Sequence, residues 1–155
     1  MTAMAATDSA PDAPTRILDR LVRPLPVGAY VAGAAFLAVS AVFGGGMLVL
    51  DPTGASMELP LSWLEGTPFN DYLVPGLVLL GVLGLGSFVT VYGILRRTDW
   101  AWHAAVGLGL ALVTWIVVQI ALIRLFHWLH VLYGGLGLLL VGLALAPAVR
   151  DRLRG

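Results

Sequence analysis

Cysteine is absent from this chain, which excludes disulfides, thiolate metal ligands, iron–sulfur clusters and thiol redox chemistry of the vitamin K reductase kind. Lysine is absent as well: all nine basic residues are Arg. Charged residues of either sign make up only 12% of the 155, against about a quarter in soluble domains, while 59% are hydrophobic. So little polar surface cannot cover a core in water, so a soluble domain is excluded. A basic stripe with interleaved aromatics is also missing, which argues against nucleic acid as a partner.

What the chain does have is apolar runs of bilayer length. Residues 27–50, 72–95, 101–123 and 131–149 carry no Asp, Glu or Arg in their cores. Each is long enough to cross about 30 Å of hydrocarbon at about 1.5 Å per residue. Lipid offers no partner to loose backbone groups, so each run must be a helix. The sequence therefore predicts an all-α, membrane-spanning four-helix bundle with a short structured outer loop. Residues 16–149 form its single transmembrane domain, between a disordered tail over 1–15 and a basic cytoplasmic tail over 150–155. Pro75-Gly76 is expected to kink the second span early. The first run is too long for a cleavable signal, despite Ala38 and Ser40 at cleavage spacing, and reads as an anchor. Residues 16–23 place Ile17, Leu18, Leu21 and Val22 on one helical face and Arg16, Asp19, Arg20 and Arg23 on the other. That pattern suits a surface helix or a solvated basic flank.

Orientation follows from the arginines. Arg16, Arg20, Arg23, Arg96, Arg97, Arg150, Arg152 and Arg154 fall on one side of a four-span thread, and Arg124 alone falls on the other. The positive-inside rule puts both termini in the cytoplasm. The loop over 51–71, with Asp51, Glu58, Glu65 and Asp71 and no basic residue, then lies outside. Trp100 and Trp102 on the inner side, and Trp63, Phe126 and Trp128 on the outer, fit interfacial belts. The spans are rich in Gly, and Ala105-xxx-Gly109, Gly107-xxx-Ala111 and Gly142-xxx-Ala146 predict close helix approach.

The outer loop reads as built structure. Asp51-Pro52-Thr53-Gly54 matches a type I turn. Pro60 to Glu65 can form a helical turn or two with Gly66 as its C′ residue. Thr67-Pro68 then supplies an N-cap and first-turn proline for the second span.

Few side chains could carry chemistry. Gln119 is the one strongly polar side chain well inside a span, with Trp115 one turn before it on the same face. It is expected either to hydrogen-bond across the bundle or to hold a carbonyl or hydroxyl of a lipid or quinone headgroup. Arg124 is expected to pair with Asp71, Glu65 or Glu58. His127 and His130 have a spacing compatible with two zinc ligands on a helix, or form a plain interfacial pair. Haem is excluded: His103 and His127 are 24 residues apart, about 36 Å along a helix, and His127 and His130 are neighbours that cannot sandwich one iron. A coupled pump would place an ionisable group within a span, and none is there.

Asp51-Pro52-Thr53-Gly54, the string from Thr67 to Gly76 and Trp115-Ile116-Val117-Val118-Gln119 together resemble a group of small bacterial four-helix membrane proteins. Their pattern runs DPSG, a leucine-rich cap, sPF..YLIPG and WI..Q. The likeness covers most of residues 44–123. It implies a four-helix architecture in a bacterial plasma membrane and no assigned activity. The sequence thus leads to an accessory or structural membrane component, with a membrane-protein partner or a homo-oligomer and no cofactor. The alternatives are a binder or mover of a lipid or quinone near the outer face, and an outer-face metal-dependent enzyme built on His127 and His130.

Overall fold

The computed structural model describes residues 25–154; the expected tail over 1–15 and surface helix over 16–23 lie outside them. Among the described residues, four helices are long and apolar enough to span a membrane: α1 Leu25–Leu50, α2 Leu73–Arg96, α3 Ala101–Ile123 and α4 Trp128–Leu145. The chain is a multi-pass helical membrane protein. A fifth helix, α5 Pro147–Arg154, follows α4 after a break at Ala146. Short connections make successive helices antiparallel neighbours. Thus α1 packs along α2 and α3 along α4, and contacts of α1 with α4 and of α2 with α3 close the bundle. The loop over 51–72 sits at one end, and the Arg96–Asp99 turn and α5 sit at the other, hereafter the loop end and the arginine end.

Side chains fill the interior. Tyr30, Leu37, Leu83, Leu112 and Leu140 are fully buried, with Ala34, Ala101, Ala105 and Ala144 between them. The helix pairs meet through glycine. A Cβ on Gly45 of α1 would lie 2.5 Å from the Leu80 backbone nitrogen, and one on Gly76 would lie 2.7 Å from the Leu48 Cβ. Across the other pair, Gly109 faces Val141 and Gly137 faces Val113 at similar closeness. Of the three small-residue motifs, the Ala105/Gly109 pair is used in this packing. Gly107 and Gly142 face open space.

Among the described residues, two polar ties cross the bundle. The Tyr30 hydroxyl donates to the Ala105 carbonyl oxygen at 2.8 Å, joining α1 to α3. The Trp102 indole N–H donates to the Ala144 carbonyl oxygen at 2.9 Å, joining α3 to α4.

The second span departs from expectation. Pro75 falls in the first turn of α2, where its missing N–H is one that helix geometry leaves unused anyway. The irregularity lies deeper, where Leu79–Leu85 is wound as a π-helix before α geometry resumes at Gly86. Ser87 and Thr90 follow it and donate back to the carbonyls of Leu83 and Gly86. The fourth span also differs, running from Trp128 to Leu145 instead of over 131–149, because Pro147 cannot continue a helix.

Candidate functional site

At the loop end, the carboxylate of Asp51 organises the turn after α1. One oxygen accepts from the Thr53 hydroxyl at 2.5 Å and N–H at 3.2 Å, and the other from the Ser56 N–H at 2.8 Å and hydroxyl at 2.6 Å. These four bonds, led by the Ser56 hydroxyl, hold its pKa down at about 2. The Gly54 N–H donates to the Asp51 carbonyl oxygen, as the expected turn requires, and Gly54 is left-handed at φ 74°. Its flat face is pressed on by the Tyr72 ring, where a Cβ would approach within 2.9 Å.

Tyr72 ties the loop down twice, its N–H donating to the Pro52 carbonyl oxygen and its hydroxyl to that of Pro60. Leu48, Leu64 and Tyr72 form a small buried cluster with Leu59 and Phe69 against it. Leu61–Leu64 is a 3₁₀ turn, with Gly66 beyond it at φ 82°, as the C′ position implies. Thr67-Pro68, however, does not begin α2. The Thr67 hydroxyl is spent on the Leu64 carbonyl oxygen and the Phe69 N–H, and α2 starts instead after Tyr72, with the Asp71 carboxylate just ahead of it accepting from the Leu73 N–H at 3.0 Å.

The α3–α4 hairpin closes the same end. Arg124 takes a left-handed conformation at φ 55° after α3, its N–H donating to the Ile120 carbonyl oxygen. The expected pairing with Asp71, Glu65 or Glu58 does not form: among the described residues, no carboxylate comes within 4.0 Å of a basic side chain. Asp71 accepts from the Leu73 N–H, and Glu58 and Glu65 are exposed to water, where pairing gains little.

The two histidines serve α4 itself. The His127 N–H donates to the His130 Nδ1 at 3.0 Å, and the Leu129 N–H donates to the His127 Nδ1 at 3.4 Å, a reciprocal cap built from two imidazoles. Both Nδ1 atoms are thus acceptors for backbone donors. Among the described residues, no three His, Asp or Glu side chains converge as a metal site would require. The three-residue spacing that suggested zinc ligands is equally the spacing of a capping box.

Gln119 and Trp115 lie side by side on α3, both half-buried, one turn and two turns from its loop end. Trp115 packs against the core, whereas Val117 and Val118 beside Gln119 are 59% and 40% exposed. Among the described residues the expected bond from Gln119 across the bundle is not made, and Tyr30 and Trp102 supply interhelical bonds instead. Its amide meets the boundary between bundle and surroundings.

At the arginine end is an arrangement that the sequence was used only to orient. The α5 helix buries Val149 and Leu153 against the bundle, and Arg150 and Arg154 lie over the Trp102 ring at 5.8 and 4.9 Å. The supposed tail over 150–155 is therefore helical through Arg154. The signal was readable: Pro147 opens a helix, and Val149 and Leu153, four apart, share its face. Between α5 and the α2–α3 turn lies a cleft of about 720 Å³ lined by Arg97, Asp99, Ala148, Asp151, Arg152, Leu153 and Arg154.

In comparison with known proteins, the chain matches no family model, no curated protein and no solved structure.

Proposed function

We propose that this protein is an accessory or structural component of a bacterial plasma membrane, with both termini cytoplasmic, acting through lateral contact between α3 and a transmembrane helix of a partner. One observation carries the reading. Gln119 is half-buried on a membrane span, and among the described residues its amide makes no hydrogen bond to another helix. In lipid, an amide gains about 0.6–2 kcal/mol from a bond to a neighbouring helix, so the position favours a companion. The filled interior supports the same reading, since it leaves the lateral surface as the working face. Bacterial origin is supported by the likeness of the loop and Trp115–Gln119 strings, and the orientation by the arginine asymmetry.

A lipid or quinone headgroup at Gln119 and Trp115 is the second reading, favoured by the half-buried indole one turn away. The Gln119→Leu variant separates the possibilities by native mass spectrometry from mild detergent. The proposal predicts that the wild-type chain carries a protein partner or a second copy, that the variant loses it, and that thermal stability is unchanged. Loss of a co-purified small molecule instead would establish the second reading. A marked fall in stability would show that the amide holds the bundle together and would contradict both.

A further inference from the structure

We infer that the cleft at the arginine end is a binding site for the phosphodiester headgroup of an anionic phospholipid. Arg97, Arg152 and Arg154 line this cleft together with Asp99 and Asp151. Opposite charges so close would ordinarily neutralise one another, yet no arginine–carboxylate pair approaches within 4.0 Å among the described residues. The formal balance of the lining is three positive charges against two negative, which one singly charged phosphodiester completes. Guanidinium is suited to that ligand because its planar fork donates two parallel N–H bonds to phosphate oxygens. The two carboxylates can accept from hydroxyls of a glycerol headgroup, a role a choline headgroup cannot fill. The volume, about 720 Å³, is within the range of small-molecule sites.

The location supplies the rest of the lipid. The cleft lies where α2 ends and α5 crosses beneath the bundle, at the polar limit of the apolar spans. Leu95, two residues before Arg97 at the end of α2, is 69% exposed, an apolar surface against which an acyl chain rising from the headgroup can lie. Trp100 at the same level is 41% exposed, as befits an interfacial residue. Arg154 is held over Trp102, which fixes one donor in advance, and Arg97 is set by its left-handed position after α2. Basic pockets between helices at a membrane surface recognise anionic headgroups by these means.

The test is native mass spectrometry of the full chain in mild detergent with added phosphatidylglycerol, phosphatidylethanolamine or phosphatidylcholine. Phosphatidylglycerol is expected to be retained in preference to the other two. The Arg97→Gln/Arg152→Gln double variant, which leaves the Arg154–Trp102 contact in place, is expected to lose about tenfold in its retention, equivalent to about 1.4 kcal/mol. Arg124→Gln, at the opposite end, is expected to lose none. Circular dichroism of the double variant checks that the helices persist. Should it unfold, millimolar inorganic phosphate added to the wild-type chain gives a second reading: the proposal predicts that it does not displace the lipid. Equal retention of the three lipids, retention unaffected by the double variant, or ready displacement by inorganic phosphate would each overturn the assignment.

Discussion

At the residue scale, Asp51 has the clearest chemical signature. Its carboxylate receives four hydrogen bonds from Thr53 and Ser56, two on each oxygen, a set that favours the ionised form because protonation puts a donor where an acceptor is needed. The folded pKa of about 2 lies below the ordinary 3.8, so the folded loop binds its proton less readily than the unfolded chain does. The stabilisation is therefore complete above about pH 4 and is lost as pH falls towards 2. Amide exchange at Thr53 and Ser56 is expected to accelerate across that window. Asp51→Asn should show the fast rates at every pH. Rates independent of pH in the wild-type loop, after correction for intrinsic exchange, would contradict this account. Arg124 and His127 teach a related lesson: each sits where backbone geometry at a helix end employs it, the one as a left-handed terminus and the other as a cap. Their side-chain chemistry suggested an ion pair and a metal, but the local backbone groups are nearer and have prior claim.

At the scale of elements, glycine decides how close the helices come. Gly45 faces the backbone of Leu80 and Gly76, which cannot move aside without shifting α2. Gly45→Ala is expected to cost about 1–3 kcal/mol, seen as a lowered thermal midpoint in mild detergent. Gly107→Ala and Gly142→Ala point into open space and should leave stability unchanged or raise it by up to about 1 kcal/mol. Equal effects at all three positions would refute the glycine-mediated interface. The existence of four spans was legible, because run length and lack of charge are properties of the chain alone. So were the turn at Asp51–Gly54 and the positive φ at Gly66, where Pro and Gly punctuate strongly. The π-helical stretch of α2 was not legible: it depends on how Leu79–Leu85 meets α1, a tertiary contact with no local code. The start of α2 was misplaced because Thr67 is a competent cap by sequence, whereas the helix begins after Tyr72, which is held by its bonds to the loop at Pro52 and Pro60.

At the scale of the whole molecule, the two ends of the bundle differ in character. The loop end is closed by a self-satisfied cap, with its carboxylates bonded locally or exposed. The arginine end is braced by α5 on Trp102 and carries the charged cleft. Between them the packed spans present apolar surface broken by Gln119. Each functional reading depends on that thread, with the loop on one side of a membrane and the Arg96–Asp99 turn and α5 on the other. The absence of native cysteine makes this open to a direct test, since a single introduced thiol has no background. Ser62 on the loop and Ala148 on α5 are both exposed. With a membrane-impermeant maleimide on intact bacterial cells, Ser62→Cys is predicted to label at once and Ala148→Cys only after the membrane is opened. Labelling of both in intact cells, or of Ala148→Cys alone, would contradict the arrangement.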